Sequence, residues 1–108
     1  MPIDYARMQK SSPKLKAMLT RADKQTDPLK RYNAVLAACK AAVAEWNAVG
    51  AWVDAWARWQ IALDDAFYNL QCSPQWRAAG IPTYFPPRLE ELSRREDHQV
   101  CMAIPRMS

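Results

Sequence analysis

His98 is the only histidine in the chain, and it stands three residues before Cys101, a spacing at which both side chains reach one metal ion. A structural zinc site needs four ligands, and Cys39 and Cys72 are the only other soft donors. Pairing Cys72 with His98 as its base gives a nucleophile without oxyanion donors around it. The mid-chain carboxylates Glu45, Asp54, Asp64 and Asp65 do no better. Asp64 and Asp65 point about 100° apart on a helix, and neither is followed at helical spacing by the histidine that a bundle metal site requires. Gly50 and Gly80 are isolated, so no glycine-rich loop cradles a phosphate. The expectation is a non-enzymatic protein without metal or cofactor.

Tryptophan and the basic residues carry the remaining chemistry. Trp52, Trp56 and Trp59 share a helical stripe with Leu63, Trp46 lies on a neighbouring stripe, and Trp76 stands apart. Such a row grips a flat ligand, a proline-rich peptide or unstacked bases, or else it packs a core or a subunit interface. Packing is the simpler expectation, with Trp46, Trp52, Trp56, Trp59, Leu63 and Trp76 as anchors and a homodimer through the tryptophan-rich region. The formal charge of +4 is uneven, because residues 1–31 hold eight basic side chains against three acidic ones. Arg7, Lys10, Lys14, Lys16, Arg21, Lys24, Lys30 and Arg31 either contact phosphates or form a solvated face. A helix-turn-helix centred on Gly50 would offer residues 51–61 as its recognition helix. Its charges are only Asp54 and Arg58, a poor face for a major groove.

The elements that position these residues follow from periodicity and caps. Ser12-Pro13 opens a short helix with Leu15, Met18, Leu19 and Ala22 on its apolar face, ending near Lys24. Asp27-Pro28 opens the next. From there Leu29, Tyr32, Leu36, Cys39, Val43, Trp46, Gly50, Val53 and Ala57 recur at steps of three and four. A second stripe, one residue out of phase, runs Val49, Trp52, Trp56, Trp59, Leu63, Ala66, Leu70. This phase shift fits a helical hairpin broken near Gly50 or one long helix contacted on different faces. Helix propensity at Ala44, Ala48, Ala51 and Ala55 favours continuity. Cys72-Ser73-Pro74 then precedes one turn containing Trp76 and closed by Gly80. Residues 80–87 hold three of the eight prolines and read as an extended strap over the apolar face. A last helix opens at Pro87 and runs to about Asp97, with Glu90 and Glu91 four before Arg94 and Arg95.

The expectation is therefore one all-α domain over residues 1–108, with a long central helix or hairpin, short flanking helices and a proline-rich C-terminal strap. Residues 1–11 and 98–108 are expected to be flexible. No stretch approaches the roughly 18 uncharged apolar residues of a membrane span. The first residues carry no secretory apolar segment, and three widely spaced cysteines suit a reducing cytoplasm. The leading function is a homodimeric protein–protein interaction or regulatory adaptor. Its alternative is a small basic protein that contacts DNA or RNA phosphates through its N-terminal third.

Overall fold

Two serine and aspartate caps start the fold where the sequence places them. The computed structural model describes residues 10–50 and 56–92; the expectations for Arg7, Trp52, Asp54, Arg94, Arg95, His98, Cys101 and the chain ends lie outside them. α1 spans Pro13–Asp23, and the Leu15 N–H donates to Ser12 Oγ at 3.3 Å. α2 spans Pro28–Val49, and the Lys30 N–H donates to Asp27 Oδ2 at 3.0 Å. Both helices carry proline in the first turn, where its missing N–H costs nothing.

The chain turns after α2. Gly50 adopts φ 69°, the left-handed conformation that ends helices without a Cβ clash, and its N–H bonds back to Asn47 O. α3 then spans Trp56–Gln71 and packs on α2. The expected continuity is thus corrected, and the hairpin is the arrangement adopted. Early α2 meets late α3 through Tyr32 and Phe67, whose ring centroids lie 5.7 Å apart. Late α2 meets early α3 through Trp46 and Trp59, edge to face at 5.9 Å. The helices are therefore antiparallel. Propensity differences among ordinary residues amount to a few tenths of a kcal/mol each, whereas fully burying one large apolar side chain is worth about 1.5–3 kcal/mol. Tertiary burial decides the break.

Among the described residues, both apolar stripes contribute to one core. Tyr32, Cys39, Val43 and Trp46 are buried from the first, and Trp59, Leu63, Ala66 and Leu70 from the second. Leu15, Leu19 and Ala22 of α1 complete it against α2. α4, Trp76–Ala79, follows a turn and ends at Gly80 with φ 66°. Trp76 is half-buried, with its ring 5.4 Å from Phe67.

The strap is held differently from the expectation. Ile81 packs against the core, but Tyr84 and Phe85 are 70% and 73% exposed. Glutamines fasten its backbone instead. Gln71 donates to Tyr84 O at 3.1 Å. The buried Gln60 donates to Pro87 O at 2.9 Å and accepts from the Leu89 N–H at 2.8 Å. Gln75 similarly accepts from the Leu29 N–H and donates to Asp27 Oδ1, at 3.0 and 2.8 Å. α5 begins at residue 89 and is helical through 92, the last described residue, with Leu89 and Leu92 buried. No helix among the described residues is long and apolar enough to cross a membrane.

Trp59 is 1% exposed, whereas Trp56 is only half-buried at the start of the same helix. Trp59→Ala is expected to lower unfolding free energy by about 3–5 kcal/mol and Trp56→Ala by less than half as much, measured by urea denaturation. Equal losses would contradict this division of the stripe.

Candidate functional site

The sequence-predicted anchors divide into interior and rim. Trp46, Trp59 and Leu63 lie inside the chain's own core. Trp56 and Trp76 are half-buried. The tryptophan pair at the hairpin is thus covered by the chain itself. Among the described residues, the large apolar side chains that face solvent are Ile61 and Tyr68 on α3, with Tyr84 and Phe85 on the strap. Ile61 and Tyr68 are seven residues apart and share one helix face. From Tyr32 a ladder of rings runs outward through Phe67 and Trp76 to Tyr84, the last step spanning 6.2 Å. Tyr84 is its exposed end.

The basic residues also divide. Lys10, Lys14, Lys16, Arg21, Lys24 and Lys30 are exposed. Arg31 is not part of that face. Its Nη2 lies 2.8 Å from Asp23 Oδ1 and 2.6 Å from Asp65 Oδ2, and its side chain is 16% exposed. One guanidinium thereby ties α1, α2 and α3 together. Asp65 is its counter-ion, and Asp64 accepts from Gln60 at 2.8 Å, so both carboxylates have structural partners. The Arg31 contacts join residues far apart in sequence. Charge complementarity between 31 and 65 was the only signal, and many other pairings share it.

The titratable core groups behave as packing residues. Burial pushes the Cys39 thiol up to about 12, and its Sγ sits 3.8 Å from Trp59 O. The Tyr32 hydroxyl is likewise pushed up to about 12 by burial. A thiol held protonated is a poor nucleophile. The Lys30 amide, then the Gln75 side chain, hold the Asp27 carboxyl below its ordinary value, consistent with its capping role. Cys72 is exposed. Among the described residues, no group of three histidine, cysteine, aspartate or glutamate side chains is placed to hold a metal ion.

Arg31→Gln is expected to lower stability by about 1 kcal/mol, the scale of partly exposed ion pairs, without weakening any binding to polyanions. Thermal unfolding and retention on heparin measure the two effects. Weaker retention at unchanged stability would return Arg31 to the basic face.

No known protein family, curated protein or solved structure matches this chain.

Proposed function

We propose that the protein is a non-enzymatic interaction protein, a homodimeric adaptor or regulator that binds another protein through the aromatic side chains of its strap. The observation that carries this reading is the exposure of Tyr84 and Phe85, at 70% and 73%, on a backbone fixed by Gln71 and Gln60. Aromatic side chains supply much of the binding energy at protein interfaces. A backbone already held in place reduces the ordering cost of association. Ile61 and Tyr68 on the outer face of α3 offer a further apolar surface for a second copy. Cys39 and Cys72 are free among the described residues, and the wide spacing of the three cysteines suits a reducing cytoplasm.

A nucleic-acid reading retains one specific support. Asp23 is the only carboxylate within α1, and Arg31 neutralises it. Lys14, Lys16 and Arg21 on that helix, with Lys24 beside it, are left as unopposed positive charge. Retention on DNA that falls steeply with salt would favour this reading.

Replacing Tyr84 and Phe85 together with Ser should change stability by no more than about 0.5 kcal/mol, as expected of exposed positions. Cross-linking to a protein partner should fall at least about tenfold, a loss on the scale of one interface hot spot, and self-association should fall less, since Ile61 and Tyr68 remain. Sedimentation equilibrium and cross-linking with mass spectrometry read the two kinds of partner separately. Association equal to wild type in both would overturn the assignment.

A further inference from the structure

We infer that the cleft between α1 and α3 is an oxyanion site that takes a phosphate group, a function separate from protein docking at the strap. Ser11, Lys16, Leu19, Thr20, Arg58 and Trp59 line a cavity of about 150 Å³ there. A single water needs only about 10–15 Å³. Leu19 and Trp59 are core residues and give the cavity its apolar side. Lys16 and Arg58 are the two basic residues of its lining, both solvent-exposed, and neither forms an ion pair among the described residues. Without an anion between them they repel one another.

Ser11 provides an independent indication. The residue is only 6% exposed, and its Oγ is buried without a hydrogen-bond partner. Buried hydroxyls are rarely left so, because desolvation without a partner is costly. Ser11 is a residue of the cavity wall, and its hydroxyl, free to rotate among staggered χ1 positions, is the unsatisfied donor nearest to hand for a bound oxyanion. Ser11 also immediately precedes the Ser12 cap, so the positive end of the α1 dipole favours negative charge beside it. The Thr20 hydroxyl already donates to Lys16 O at 2.9 Å. The available donors are therefore one hydroxyl, one ammonium and one guanidinium.

That donor set suits a phosphate. A guanidinium fork spans two of its oxygens, while the ammonium and hydroxyl reach others around the tetrahedron. A carboxylate offers only two oxygens and a single charge. On α1, Lys16 and Thr20 border the buried stripe on one side, with Lys14 and Arg21 on the other, at about 100° per residue. The site thus uses Lys16 and Arg58 and leaves the rest of the basic face aside. The phosphate can belong to a small free compound or to a nucleic-acid backbone.

Amide shifts of the full chain should be followed while it is titrated with inorganic phosphate, acetate or a single-stranded oligonucleotide, at about 50 mM salt. Phosphate is expected to move Ser11, Lys16 and Arg58 saturably, with acetate at least about tenfold weaker. Arg58→Gln and Lys16→Gln should each weaken phosphate binding about tenfold, the scale of one charge-assisted contact. Lys14→Gln should leave it unchanged. Ser11→Ala should weaken it while circular dichroism stays constant. An oligonucleotide that displaces phosphate and loses affinity in Arg58→Gln identifies the backbone source. Phosphate binding with no oligonucleotide effect at Ser11 and Arg58 identifies the free compound. Absence of saturable shifts with both, or Arg58→Gln binding both like wild type, overturns the site.

Discussion

The packing of Trp46 against Trp59 is the contact on which the rest of the molecule depends. Two indoles meeting edge to face contribute about 0.5–1.5 kcal/mol beyond the apolar area they bury, and these two are each 1% exposed. Their larger consequence is geometric. They hold the end of α2 against the start of α3, which sets the antiparallel register and brings Tyr32 opposite Phe67. α1 lays Leu15, Leu19 and Ala22 against the same core, chiefly on α2. The Cys39 thiol, buried beside the Trp59 carbonyl, serves that interior as a small apolar group.

Polar side chains then fix what the apolar core cannot orient. Arg31 reaches carboxylates on two other helices, and Gln60 and Gln75 each use both ends of an amide to join segments far apart in sequence. A buried amide is costly unless it is paired. Gln60 has three partners, so its burial stabilises one placement of the strap rather than opposing burial in general. The prolines limit the strap's conformations, and the glutamines supply partners for its backbone. Tyr84 and Phe85 are consequently displayed from a fixed backbone, and this display underlies the proposed role in protein interaction.

Local chemistry was legible in the sequence, whereas long-range pairing was not. Ser12-Pro13 and Asp27-Pro28 marked two helix starts because a cap oxygen and a first-turn proline act within a few residues. Gly80 closed α4 for the same kind of reason. The two stripes named most of the core. Their phase shift contained the break at Gly50, yet the alanines around it argued for continuity, and only the burial gained by folding α3 onto α2 decides between the two. The prolines mark an extended segment over residues 80–87, but its apolar composition does not say which way Tyr84 and Phe85 face, and they face solvent rather than the core. Gln60 lies one step beyond the end of the first stripe at Ala57, and nothing local marks this polar residue as the buried clamp it is. Proximity in sequence groups Arg31 with the other cations, although its partners Asp23 and Asp65 give it a structural role. Nothing local connects Arg58 to Lys16, so their meeting at one cavity is legible only in the fold.

The most direct test of the hairpin is an NMR measurement of proximity between the indole protons of Trp46 and Trp59. Their ring centroids lie 5.9 Å apart, whereas thirteen residues along an uninterrupted helix would separate them by about 20 Å. The fold predicts strong cross-relaxation between the rings within one chain, unchanged when labelled protein is diluted with unlabelled. Absence of that signal, or a signal that appears only between labelled and unlabelled chains, would contradict the hairpin and the surfaces built on it.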